Sequence, residues 1–209
     1  MFQSFAEISL TTWAILAGLI ILGVVLLIIT RNRQKWSTRM LANASLCIAL
    51  AFILSYVKLY EMPQGGSVTL ASMLPIFLFA YAYGVSAGLV VGFAYGMLQF
   101  IQGGWFVHPV QFLLDYPLAF AMLGFCGISR KLPDRFGMIP GVLLGTVLRF
   151  LCAFLTGIFF WGDGAGEQNV LIYSAVYNGT YLIPETAICL AVAMVPQIRR
   201  LVRELSLSK

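Results

Sequence analysis

The sequence predicts an all-α, polytopic membrane protein, a six-helix bundle preceded by one extra N-terminal transmembrane helix. Three observations predict it. Apolar residues fill 60% of the 209 positions and charged residues only 10%, where soluble domains carry roughly 25% charge. The apolar positions form continuous runs near the ~20 residues that cross a hydrocarbon core, without the alternation of an outer-membrane strand. The basic residues collect in alternate loops. With a mean hydropathy of +0.91, these features exclude a soluble globular domain and a disordered chain. About seven spans leave little chain for a soluble catalytic domain.

The first run is Thr11–Thr30, nearly all aliphatic and without a polar site residue. Glu7 precedes it and no Lys or Arg does, so it lacks the basic start of a signal peptide. It reads as a retained helix, an anchor or packing surface. The chain then divides into residues 1–30 (the extra helix), 31–40 (a basic cytoplasmic linker with Arg31, Arg33, Lys35 and Arg39) and 41–209 (a six-helix membrane domain). The six spans are Leu41–Tyr60, Val68–Ala82, Val85–Phe100, Val107–Ile128, Met138–Phe160 and Val170–Pro196. The second is short and holds Pro75. Gly84, Gly88, Gly92 and Gly96 recur every four residues, a spacing that lets helix backbones approach closely in lipid. Gly141 with Gly145, and Ser45 with Ala49, repeat the pattern.

Loop charge orients the bundle. The linker, the loop at Arg130, Lys131, Asp134 and Arg135, and the tail with Arg199, Arg200, Arg203 and Lys209 fall on one side. The loops with Glu61, with Trp105, and with Asp163 and Glu167 fall on the other. By the positive-inside rule the first side is cytoplasmic, with the N-terminus outside, the C-terminus inside, and the plasma membrane as location. The net charge of +5 therefore requires no nucleic-acid partner.

Several chemistries lack their residues. Cys47, Cys126, Cys152 and Cys189 lie singly in apolar runs, as small buried hydrophobes do. No nucleotide-binding G-x-x-x-x-G-K-[ST] loop occurs, nor an H-E-x-x-H or G-x-S-x-G motif. His108 is the single histidine, so neither a metal cluster nor a nucleophile–base pair presents itself. The reading is not an enzyme, with no cofactor.

The informative residues are the polar ones inside apolar runs. Asp115 lies about 12 Å into its span and Arg149 about 16 Å into its own, counting from the same side. An ion pair between them and a ligand-facing Asp115 both remain open. His108, Gln111 and Asp115 fall at i, i+3 and i+7, with Tyr116 adjacent. Ser174, Asn178 and Tyr181 repeat similarly on the last span, beside Tyr173 and Tyr177. Trp105 and Trp161 end neighbouring external loops, and Gln64–Ser67 forms a candidate lid. Glu185, after Pro184, reads as a deeper structural partner or kink device. An acid among flat aromatic walls suits a flat, cationic, amine-bearing molecule.

At these residues the chain resembles the thiamine-specific substrate-binding (S) component, ThiT-like, of energy-coupling factor vitamin transporters. The matching stretches are MPQGGSVTLASMLPIFLFAYAYG (62–84), HPVQFLLDYPLAFAMLG (108–124), RFLCAFLTGIFFW (149–161) and YSAVYNGTYLIPE (173–185). The resemblance implies a six-helix bundle with a vitamin pocket near its outer face. It places the pocket acid at Asp115, an adjacent tyrosine at Tyr116, a stacking tryptophan at Trp161 and a glycine at Gly157. Tyr173 and Asn178 take the last-helix positions and Trp105 the loop aromatic. Gln111 and His108 join this substrate-binding set from their spacing. One departure is Ala153, where some relatives carry a pocket histidine. The resemblance further implies a transmembrane coupling subunit and two ATPase subunits, with small-residue faces such as Ser45/Ala49 for docking. The expected function is capture of thiamine from outside the cell for an ATP-driven importer. The alternatives are an S component for another vitamin or a thiamine precursor, and a stand-alone facilitator.

Overall fold

The structure is a computed structural model that describes residues 36–63, 65–132 and 137–207. The expectations for Thr11–Thr30, for the linker before Trp36, and for Gln64, Asp134, Arg135 and Lys209 lie outside the described residues.

Helix α1, Thr38–Ser55, opens where Ser37 Oγ accepts a hydrogen bond from Met40 N at 3.2 Å, satisfying a free amide of the first turn. It ends short of the predicted Tyr60. Strands β1, Lys58–Glu61, and β2, Ser67–Thr69, pair antiparallel with Tyr60 opposite Val68 and Glu61 opposite Ser67. The predicted span Val68–Ala82 is corrected likewise: helix α2 covers only Leu74–Tyr83, with Pro75 in its first turn. The physical reason is local. Thr69 and Ser72 turn their hydroxyls onto Glu185, and Ala71 takes a positive φ of 57° between them, which no continuous helix allows.

Helix α3 spans Val85–Ile101 and α4 spans Pro109–Lys131. α4 changes pitch along its length. Its first α-helical turn ends at Leu113, a wide π turn holds Leu114–Leu118 around Pro117, and Met122–Lys131 tightens to a 3-10 helix. Pro117 has no amide hydrogen to donate, so the regular ladder breaks there. α5 covers Ile139–Phe160, a 3-10 turn Gly162–Ala165 follows, and α6 covers Val170–Ala193. α6 starts where Asn169 Oδ1 accepts from Leu171 N at 2.9 Å and runs through Pro184. A short helix α7, Pro196–Leu207, ends the described chain.

Among the described residues three helices, Thr38–Ser55, Pro109–Lys131 and Ile139–Phe160, are long and apolar enough to cross a bilayer; α2 and α3 are apolar but shorter. α2 is the central strut, with Ile76, Phe77 and Phe79 fully buried. Small residues set the α3–α4 seam. A methyl group added at Gly88 would strike Ala80 and Gly124, one at Gly92 would strike the Phe120 carbonyl, and one at Gly96 would strike Tyr116. Gly84 does not join that seam: it has φ 96° and forms the turn between α2 and α3. Gly141 and Gly145 close α5 onto Cys126, Ser129 and Leu123 of α4. Cys126, Cys152 and Cys189 are buried, and all four cysteines are free thiols.

Candidate functional site

A cavity of about 140 Å³ lies among α3, α4, α5 and α6 beside the β1–β2 hairpin. The α4 wall presents Asp115 and Tyr116 from the π turn. Behind them, Gln111 is fully buried. Its Nε2 donates to Asp115 Oδ2 at 2.8 Å and to the Trp105 carbonyl at 3.1 Å, and its Oε1 accepts from Val107 N at 3.2 Å. Trp105 N donates to the Tyr116 hydroxyl at 2.8 Å. The Trp105 ring meets Trp161 edge to face, with centroids 6.2 Å apart. The loop before α4 is thus fastened directly to Tyr116 and, through Gln111, to Asp115.

The opposite wall is α6 with the end of α5. Asn178 Nδ2 donates to the Ser174 carbonyl at 2.9 Å and the Ala153 carbonyl at 3.3 Å, and its Oδ1 accepts from the Tyr181 hydroxyl at 2.9 Å. Ser174 Oγ donates to the Phe154 carbonyl at 2.8 Å. Gly157 faces this contact: an added Cβ would collide with Ser174 Oγ. Trp161, Tyr173, Tyr177 and Tyr181 supply aromatic surface.

Among the described residues, the charged side chains lining the cavity are Asp115, Glu185 and Arg149. Glu185 is 1% exposed. Its Oε1 accepts from Thr69 Oγ1 at 2.5 Å and from Ser72 Oγ at 2.9 Å. The open alternative of an Asp115–Arg149 ion pair resolves against the pair. Arg149 instead lays its guanidinium carbon 4.1 Å from the Phe120 ring centre, and its buried Nη1 has no hydrogen-bond partner. Among the described residues the ion pair is Lys58–Glu61, at 2.6 Å and exposed.

Of the sequence-derived set, Asp115, Tyr116, Trp161, Tyr173, Asn178 and Gly157 line the cavity, while Trp105, Gln111 and His108 do not. Trp105 packs behind Trp161, and Gln111 stands behind Asp115. His108 belongs to another job. It is extended (φ −154°), precedes the first turn of α4, and accepts from Val110 N through Nδ1 at 3.1 Å. Its ring stacks on Phe160 at 5.1 Å. A residue outside the helix cannot share the helix face that i, i+3, i+7 counting assigns it. Partial burial draws its pKa below the ordinary imidazole value, in keeping with a neutral ring whose Nδ1 accepts.

Sequence reasoning left out Arg149, Glu185, Thr69, Ser72, Tyr177 and Tyr181 as site residues. The signal for Arg149 and Glu185 was a charge inside an apolar run, which marks function by default in a membrane. Thr69 and Ser72 carried no such signal, because hydropathy merged them into a helix.

The profile of the family described as thiamine transporter protein matches residues 41–204 of the chain. The chain belongs to the thiamine transporter protein family. The thiamine transporter ThiT of Bacillus subtilis (strain 168) is 36% identical over 173 residues, covering 76% of this chain and 89% of that protein. The thiamine transporter ThiT of Lacticaseibacillus paracasei is 29% identical over 136 residues, covering 57% of this chain and 68% of that protein. The solved structure of ThiT from Listeria monocytogenes superposes with a TM-score of 0.67 at 22% identity, over 80% of this chain and 96% of that one. That likeness establishes a shared fold. Membership in the thiamine transporter family makes the chain a multi-pass membrane transport protein and not an enzyme. Every residue lining the cavity lies inside the family match.

Proposed function

We propose that this chain captures thiamine from outside the cell as the substrate-binding subunit of an ATP-driven energy-coupling factor importer. The observation that carries the reading is the cavity's charge. Two carboxylates, Asp115 and Glu185, face one guanidinium that is paired with neither, amid tryptophan and tyrosine rings. With all three ionised the cavity is one negative charge in excess, the complement of a flat monocation such as the thiazolium of thiamine.

In this reading Asp115 meets the cation and Gln111 orients the carboxylate. Trp161, backed by Trp105, stacks on a ring, and Tyr116 extends the aromatic wall. Tyr173 and Asn178 hydrogen-bond the aminopyrimidine, and Gly157 leaves room for it. A charge-assisted hydrogen bond contributes about 1.5–3 kcal/mol and a desolvated cation–π contact about 2 kcal/mol. A few of each, with apolar burial, reach the ~12 kcal/mol of nanomolar binding. The cavity opens outward, by the charge of the loops. The chain has no P-loop, so a coupling subunit and two ATPases supply the energy.

Titration of the detergent-solubilised protein with thiamine tests this through tryptophan fluorescence. Saturable quenching at nanomolar to low micromolar thiamine, abolished in Trp161→Ala, is the expected result. No quenching by thiamine, with quenching by another vitamin in a panel, overturns the ligand assignment.

A further inference from the structure

Glu185 lines the same cavity as Asp115 but stands further along its own helix. Counting along the helices at about 1.5 Å per residue, Asp115 lies about 9 Å from the start of α4. Glu185 lies about 22 Å from the start of α6, on the same end of the bundle. Among the described residues its carboxylate is hydrogen-bonded by the neutral hydroxyls of Thr69 and Ser72. The cation that shares its cavity, Arg149, is more than ion-pair distance away and stacked on Phe120. A buried carboxylate without a counter-ion is costly, and a cation entering the same cavity offsets that cost. A kink device would need no charge, because Pro184 alone breaks the local ladder.

We propose that Glu185 is a second charge-reading residue of the cavity, which together with Asp115 selects a cationic ligand over a neutral one of the same shape. Thr69 and Ser72 aim its carboxylate, and Arg149 keeps the cavity from carrying two unopposed negative charges. This rests on the thiamine reading above and adds to it an inner determinant of specificity.

The test compares thiamine with its neutral isostere, in which carbon replaces the thiazolium nitrogen, on the full-length protein and on Glu185→Gln. The amide keeps the size of the side chain and an oxygen for Thr69 and Ser72. The expected result is a thiamine Kd raised by about tenfold or more, the order of one lost charge-assisted contact, while the isostere Kd stays within about threefold. An unchanged thiamine Kd overturns the proposal, and so does an equal loss for both ligands, which is what a purely structural role gives. Asp115→Asn is the second variant, independent of whether Glu185→Gln folds. Residual preference for the cation supports Glu185, and complete loss of preference overturns it. If the unsubstituted protein fails to bind thiamine, the underlying reading falls. If it binds thiamine and Glu185→Gln keeps the full cation preference, this inference alone falls.

Discussion

The side-chain amide of Gln111 holds three partners at once, the Asp115 carboxylate, the Trp105 carbonyl and the Val107 amide. Gln111→Leu leaves all three without this partner at a part-buried site, and loss of the bond to the Asp115 carboxylate costs about 1–3 kcal/mol. The expected outcome in a thiamine titration is a Kd raised about 10- to 100-fold, together with a lower thermal midpoint. Gly157→Ala forces a methyl onto Ser174 Oγ and to 2.9 Å from its Cβ. Overpacking of this kind costs about 1–3 kcal/mol, and thermal unfolding in detergent measures it. At this scale the sequence was legible where a residue broke its surroundings: a carboxylate at Asp115 or an amide at Asn178 inside apolar runs. It was not legible for Thr69 or Ser72, whose hydroxyls cost little in an apolar helix and whose partner, Glu185, is more than a hundred positions away.

Helix α4 turns Asp115 and Tyr116 into the site where its pitch changes. The π turn at Leu114–Leu118 widens the helix where Asp115 and Tyr116 enter the cavity, and the 3-10 stretch beyond it packs against α3 through Gly88 and Gly124. Gly92→Val drives a branched side chain into the Phe120 carbonyl. It is expected to part α3 from α4 and lower the thermal midpoint more than Gly84→Ala, whose site has open space but a strained φ of 96°. The start of α4 carries a pH dependence. His108 is a cap that works through an unprotonated Nδ1, and its pKa lies below the ordinary value. The folded chain therefore binds this proton less readily than the unfolded one, so stability is full above the ordinary imidazole pKa and declines as pH falls below it. Thermal midpoints between pH 7.5 and 5.5 should fall less in His108→Asn, whose amide caps without titrating. Element ends were the part of the fold that hydropathy misread. Val57, Leu59 and Tyr60, and Val68 and Leu70, extend the neighbouring apolar runs, yet Gly65 and Gly66 bond their backbones to Met62 and close a hairpin. The longer spans were legible because their apolar runs match α3 and α5 to within a residue.

At the scale of the whole molecule, the proposed division between capture and energy supply is open to test. Reconstituted alone in vesicles, it is expected to retain thiamine at a stoichiometry near one per chain without accumulating it; ATP-driven uptake should appear only when coupling and ATPase subunits are added. Accumulation by the chain alone would favour the facilitator reading. The shortness of α2 has a further consequence. Its ten residues span about 15 Å, half of a ~30 Å hydrocarbon core, and Thr69 and Ser72 just before it line the cavity. A membrane voltage falls across the whole low-dielectric thickness of the bundle, in which the α2 side chains Ile76, Phe77 and Phe79 are fully buried. A monovalent cation entering from outside then crosses part of that field, worth about 2.3 kcal/mol per 100 mV for a full crossing. An inside-negative potential should tighten thiamine binding several-fold per 100 mV and leave the neutral isostere unmoved, so an energised cell would draw its vitamin into the cavity electrically before any ATP is spent.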